Sequence, residues 1–191
     1  MPLDASHASI TEEAITNFAL HNLSCDRSET ALREIVKANG MTVLNDAIVK
    51  AASELTARPE KRKAIIVLSD GMDTFSKASS SKALDVALAL GASIYTVDMS
   101  ATDGNASRNA QSAAILKNFA DKSGARFVAT PGGQALRDAF AGIAEELGHQ
   151  YTIAYRPVNR VHDGRWRNLE VKTVRENLTV RTRKGYRAPK G

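Results

Sequence analysis

Short apolar runs, each the length of a β-strand, divide the middle of the chain. They occupy residues 64–68, 93–97 and 125–129, and the first two are rich in β-branched side chains. Runs without polar alternation are typical of strands buried on both faces of a sheet. Between and after them, apolar residues recur at helical spacing. These predicted helices are residues 79–90, 110–122 and 134–147.

The alternation of strands and helices predicts a parallel sheet with crossover helices. We therefore expect an α/β fold, a Rossmann-like parallel sheet flanked by helices. Ligands of such sheets bind at the carboxyl ends of the strands. The polar residues at those ends are Ser69, Asp70, Asp73, Asp98 and Asp103.

The amino-terminal segment, residues 1–24, is harder to assign. Ser9 begins a Ser-x-x-Glu capping box, which favours a helix over residues 10–20. Residues 15–20 also suit a short strand, so both interpretations stay open.

Two further helices are predicted before the first apolar run. Asp26 begins one that Gly40 ends, and Thr42 begins the next, with Pro59 beyond its end. We divide the chain into a poorly assigned segment, a partial α/β domain and a β appendage with a basic tail. Their bounds are residues 1–24, 25–148 and 149–191.

The composition changes at Gln150, where strand-like segments with partial alternation begin. They predict three antiparallel strands, with Trp166 and Tyr155 anchoring the apolar face of the appendage. The predicted strands are residues 151–155, 167–174 and 178–183.

The net charge of +5 is unevenly distributed along the chain. From Arg156 onward, eleven Lys and Arg residues stand against three Asp and Glu residues. This basic tail either meets an anionic partner such as nucleic acid, lipid or acidic glycan, or forms the solvated face of strands and discourages edge pairing. We favour the second interpretation and expect no nucleic-acid partner, because no stacking aromatics alternate with the charges.

Two common classes of segment are not expected in this chain. No apolar run approaches the ~20 residues that cross a bilayer, so we expect no membrane span. The opening MPLDASHAS does not resemble a signal peptide, which leaves a cytoplasmic chain or a piece of an exported one. The lone Cys25 excludes an internal disulfide.

Three segments resemble the von Willebrand factor A domain. They are GMTVLNDAI (residues 40–48), AIIVLSDGMDT (64–74) and SIYTVD (93–98). The carboxyl half, with FADKSGARFVAT and DGRWRNLEVK, is similar to a bacterial subgroup first noted in acidobacteria, whose members are often exported. The resemblance covers residues 26–189.

The resemblance implies a metal-ion-dependent adhesion site, in which hydroxyl and carboxylate oxygens hold Mg²⁺ or Ca²⁺. It assigns Thr42 and Asp70 to this site. The alternatives are a helix N-cap for Thr42 and a turn residue for Asp70. Asp73 and Thr74 are expected to be loop or cap residues.

The family's Asp-x-Ser-x-Ser loop has only a weak counterpart in this chain. Asp4, Ser6 and Ser9 place the third ligand one position late, and no apolar strand precedes them. We therefore expect the domain to be amino-terminally incomplete, with weak or absent Mg²⁺ affinity.

The resemblance implies a non-enzymatic module that binds a protein partner through an acidic group of that partner. An alternative is an oligomerising or scaffold module that uses the basic tail or an open edge of the strand at residues 64–69. We expect that edge to be covered by the rest of a longer parent chain, and the alternatives are residues 10–24 of this chain or another subunit.

A hydrolase is the less favoured alternative. Asp70 and Asp98 could form a carboxylate pair, but the chain has no nucleophile elbow or Walker loop. The histidines are scattered without metal-ligand spacing, at His7, His21, His149 and His162.

Overall fold

The computed structural model describes residues 42–100, 106–174 and 177–191. Helices α1 to α4 are Leu44–Thr56, Ser80–Leu90, Ala106–Ser123 and Gly133–Gly148. Strands β1 to β5 are Lys63–Ser69, Ala92–Asp98, Phe127–Ala129, Trp166–Asn168 and Gly185–Arg187. The helix and strand expectations for residues 1–24, and the helix predicted from Asp26, lie outside the described residues.

Strands β1, β2 and β3 form a parallel sheet in that order. The register of β1 on β2 runs from Lys63 opposite Ala92 to Ser69 opposite Asp98. Helices α2 and α3 provide the crossovers between these strands. The predicted α/β architecture, a parallel sheet flanked by helices, is confirmed.

The sheet is covered on both faces, and alternate residues of β1 serve the two sides. Ile65 and Val67 pack into the larger core cluster, with buried residues of α1, α2 and α3. Ile66 points to the other face of the sheet, where Tyr95 of β2 and Ile143 of α4 complete a smaller core cluster. Each such aliphatic side chain contributes roughly 1.5–3 kcal/mol on burial. This two-sided burial explains why the strand sequences lack polar alternation.

Local signals fix both ends of helix α2. The Ser79 hydroxyl accepts a hydrogen bond from the Lys82 amide at 3.2 Å, which caps the amino terminus. Gly91 adopts φ 77°, the left-handed conformation that commonly ends a helix. The predicted helix end at Gly91 is confirmed.

The appendage is antiparallel, as expected, but its described residues form two strands instead of the predicted three, and only the strand predicted at 167–174 overlaps one of them, β4. Strands β4 and β5 pair through Trp166–Arg187, Arg167–Tyr186 and Asn168–Gly185. Residues 151–155 and 178–183 form no strand. The pairing depends on Gly185, because a Cβ there would meet the Arg167 carbonyl oxygen and the Trp166 indole. Local alternation does not encode such a close approach.

Polar contacts fasten the appendage to the helices around the parallel sheet. The Arg187 guanidinium forms two hydrogen bonds with Asp85 of α2, at 3.3 and 3.2 Å. The Lys184 amide donates to the Lys122 carbonyl oxygen at 3.2 Å. Trp166 packs against the larger core cluster. Of the two aromatics predicted to anchor the appendage, Trp166 therefore packs as expected, whereas Tyr155 stays 52% exposed.

The face of the parallel sheet that carries the smaller core cluster also holds a buried tyrosine hydroxyl. Tyr95 is 1% exposed, donates to Glu146 Oε1 at 3.3 Å and accepts from Gln150 Nε2 at 3.0 Å. Burial raises the pKa of Tyr95 to about 12, and the negative charge of Glu146 acts in the same direction. The folded state therefore holds this proton more tightly than the unfolded chain does.

We expect this tyrosine to make stability fall in strong alkali. Its contribution is complete below about pH 10 and is lost as the pH rises towards 12, by about 2 kcal/mol. Urea unfolding across that range measures the loss. Tyr95→Phe should unfold with a shallower pH dependence, and an unchanged slope would contradict the role of this hydroxyl.

Candidate functional site at the carboxyl edge of the sheet

The three parallel strands end at one edge of the sheet, and the described members of the predicted polar group lie at or after the ends of β1 and β2 there. Strand β1 ends at Ser69, which pairs in register with Asp98 at the end of β2. Asp70 opens the loop that follows β1, and the amino terminus of α1 lies against the same loop. We call residues 69–79, together with residues 42–46, the rim.

A tight turn opens the rim. The Ser69 hydroxyl accepts from the Gly71 amide at 3.0 Å, and Asp70 Oδ1 accepts from the Met72 amide at 3.1 Å. Gly71 has φ 78°, which the turn requires. Asp70 thus acts as a turn residue through one carboxylate oxygen, while no described residue hydrogen-bonds to its Oδ2.

The Thr42 backbone joins the start of α1 to the loop. Its carbonyl oxygen accepts from the amides of Thr74 and Phe75, at 3.0 and 3.1 Å. Its amide donates to the Thr74 hydroxyl at 3.1 Å. The helix N-cap is Val43, so the N-cap alternative for Thr42 is wrong. No described residue hydrogen-bonds to the Thr42 hydroxyl.

Two aspartate carboxylates accept hydrogen bonds from backbone amides across the contact between α1 and the loop after β1. Asp73 Oδ2 accepts from the Asn45 amide in the first turn of α1, at 2.8 Å, and its Oδ1 accepts from Ser76 at 3.0 Å. Reciprocally, the Asp46 carboxylate of α1 accepts from the amides of Lys77 and Ala78, both at 2.8 Å. The loop-or-cap expectation for Asp73 and Thr74 is confirmed.

Sequence reasoning missed Asp46, although an acidic residue in a first helical turn is a weak capping signal. Its partners are 31 and 32 residues away along the chain, so no local pattern could identify them. The rim is held by these reciprocal bonds rather than by a cap within α1 itself.

Asp98 is structural in this arrangement. It is 3% exposed, and its Oδ1 accepts from the Ser100 amide at 2.8 Å. Its backbone carbonyl accepts from the Thr130 amide at 2.9 Å. The Asp98 carboxylate therefore stabilises the end of β2.

Of the four residues predicted for the metal site, the structure brings two to the rim. Thr42 is hydrogen-bonded to the loop that Asp70 opens. Asp4 and Ser6 lie outside the described residues, as does Asp103 of the strand-end group. Within the described ranges, no group of three or more His, Cys, Asp or Glu residues could hold a metal ion.

The donor chemistry of the rim fits a hard cation incompletely. The Thr42 hydroxyl and Asp70 Oδ2 are oxygen donors that Mg²⁺ accepts. Asn45, another rim residue, carries a third side-chain oxygen, Oδ1, which is buried and has no hydrogen-bond partner among the described residues. Two or three protein oxygens leave several of the six positions of Mg²⁺ to water or to a partner.

Comparison of the chain with models of known protein families, with curated proteins and with solved structures finds no match in any of the three. The von Willebrand factor A resemblance therefore depends on the residues of this chain alone. Along the described stretches, every helix falls short of the length and apolar character needed to cross a bilayer.

Proposed function

We propose that this chain is a non-enzymatic protein-binding module of the von Willebrand factor A type, with an incomplete metal-ion-dependent adhesion site. One observation supports the proposal above the others. The three segments behind the resemblance, residues 40–48, 64–74 and 93–98, are distant in sequence, yet their described parts converge on the rim. A shared binding edge explains that convergence.

Thr42 and Asp70 would contact the metal in this proposal. Mg²⁺ would supply a positive charge that attracts an acidic side chain of the partner. The rim would present the metal from a rigid platform, because Asp46 and Asp73 fix the loop to α1. With so few protein oxygens, metal affinity should depend on the partner's carboxylate.

We expect Mn²⁺, used as a paramagnetic substitute for Mg²⁺, to bind weakly and to broaden the amide signals of Met72 and Asn45. An acidic peptide should tighten Mn²⁺ binding about tenfold, because its carboxylate completes the shell. Asp70→Ala should abolish the broadening, whereas Asp121→Ala on α3 should leave it unchanged.

Other results would contradict the proposal in distinct ways. If Mn²⁺ broadened amide signals away from the rim, or broadened those of Asp70→Ala as strongly as those of the wild type, the metal would not bind at the assigned site. Micromolar metal affinity without peptide, lost in Asp70→Ala, would show that the site is complete rather than partial.

An oligomerising module is the alternative that a specific observation favours. Among the described residues, β1 pairs with β2 alone, which leaves its other edge open to a strand from elsewhere. Size-exclusion chromatography at two salt concentrations distinguishes the routes. Salt-insensitive dimers would favour the β1 edge, and salt-sensitive association would favour the basic tail.

A further inference from the structure

A cavity of about 440 Å³ lies within the appendage, away from the rim. It opens between residues 155–162 and the region around β5. Its volume falls within the range of small-molecule sites. Its walls combine aromatic and cationic side chains with none that is acidic. The side chains that matter here are Tyr155, Arg156, Arg160, His162, Arg183 and Tyr186.

Aromatic rings form one wall of this appendage cavity. Tyr155 and Tyr186 meet edge to face, with their ring centroids 6.5 Å apart and an interplanar angle of 74°. The Arg183 guanidinium lies 5.9 Å from the centroid of the Tyr186 ring. Tyr155 is 52% exposed, so part of its ring is free to stack on a ligand.

The described arginines of the appendage fall into two groups. Those outside the cavity have carboxylate partners: Arg167 pairs with Asp163 at 2.9 Å, and Arg181 pairs with Glu146 at 2.8 Å. Arg187 pairs with Asp85 at 3.2 Å. The carboxylates of Asp163, Glu146 and Asp85 are therefore already engaged by arginines that do not line the cavity.

The cavity-lining arginines differ from that group. Arg156, Arg160 and Arg183 have no carboxylate within ion-pair distance in residues 42–100, 106–174 and 177–191. Three guanidinium groups around one cavity create a positive potential that an anion would relieve. Guanidinium groups bind phosphate through paired hydrogen bonds.

We propose that the appendage cavity binds a small organic phosphate that carries a flat ring, of the size of a mononucleotide. The guanidinium groups of Arg156 and Arg160 contact the phosphate, and Tyr155 stacks on the ring. Inorganic phosphate would contact only the guanidinium groups and would make no contact with the tyrosine rings. The site is independent of the rim and of the function proposed for it.

Calorimetric titration of the whole chain with adenosine 5′-monophosphate tests the site, with ribose 5-phosphate, adenosine and inorganic phosphate as dissected probes. We expect the nucleotide to bind about tenfold more tightly than ribose 5-phosphate, because only the nucleotide stacks. Adenosine should bind more weakly than the nucleotide by a similar factor, because it lacks the charge. Equal affinity for the nucleotide and inorganic phosphate would overturn the proposal.

Variants separate the two halves of the recognition. Tyr155→Leu should weaken nucleotide binding about tenfold without affecting ribose 5-phosphate, whereas Tyr155→Phe, which keeps the ring, should bind normally. Arg160→Gln should weaken both phosphates about tenfold. Arg58→Gln removes the same charge outside the cavity and should change the affinity for neither the nucleotide nor ribose 5-phosphate.

The remaining outcomes also decide the matter. No binding of the nucleotide to the folded wild-type chain would refute the proposal, as would equal losses in Arg160→Gln and Arg58→Gln. Tight binding of a single-stranded oligonucleotide without any binding of the mononucleotide would replace it with a nucleic-acid surface. Failure here leaves the rim proposal untouched, because the Mn²⁺ experiment uses different residues.

Discussion

Gly71→Ala is expected to lower the free energy of unfolding by about 3 kcal/mol. The residue has φ 78°, a conformation that costs alanine about 1–2 kcal/mol. An added Cβ would also stand 2.6 Å from the Ser112 carbonyl oxygen of α3 and 2.8 Å from its carbon. Backbone atoms cannot yield as a flexible side chain does, so the turn or the helix must shift.

Gly91→Ala provides the matched control for this steric contact. Gly91 has a similar φ of 77°, yet nothing lies within 4 Å of an added Cβ. Urea unfolding should therefore show a loss of only about 1 kcal/mol for Gly91→Ala. Similar losses in the two variants would mean that backbone conformation alone, and not the approach of α3, restricts position 71.

Asp46→Ala is expected to release the rim loop from α1 and to destabilise the fold by about 2 kcal/mol. The substitution removes both carboxylate oxygens that accept from Lys77 and Ala78. Hydrogen bonds to a charged group contribute roughly 1.5–3 kcal/mol when buried, and partial exposure reduces that value here. Amide hydrogen exchange should therefore accelerate at residues 77 and 78 before global unfolding.

Asp46→Asn is the conservative comparison for the loop release. It keeps one acceptor oxygen and should retain part of the protection at Lys77 and Ala78. Asp121→Ala, a carboxylate removed from the exposed side of α3, should leave exchange in the loop unchanged. Unaltered exchange in Asp46→Ala would show that other contacts hold the loop. In that case the reciprocal hydrogen bonds of Asp46 and Asp73 would not be the cause of the rigidity that the proposed function assigns to the rim.

The appendage shows why strand composition can mislead. Residues 151–155 have the aromatic and β-branched composition of a strand, yet Tyr151 is 92% exposed and Ile153 is 72% exposed. A strand needs a partner in register, and propensity measures little more than how well a side chain suits a half-buried pleat. The partner of β4 is instead centred on residues 185–187, where Gly185 admits the Trp166 ring.

The candidate site was likewise predictable from the sequence only in part. The segment from Ser69 to Asp73 could be placed at the end of a buried strand from its local sequence, and Asp73 could be recognised as a capping residue. Which helix Asp73 caps could not be predicted, because the recipient amide of Asn45 lies 28 residues earlier in the chain. The same applies to the cavity, whose tyrosines come from segments about thirty residues apart.

By itself, the sequence determined the alternation of buried strands and helices and the end of α2 at Gly91. Each of these depends on a periodicity or a backbone preference that operates within a few residues. Only the tertiary structure decided which aspartate caps which helix, where the appendage strands pair and which arginines lack a carboxylate. These features depend on groups that meet across long stretches of chain, and contact at that range follows from packing rather than from local preference.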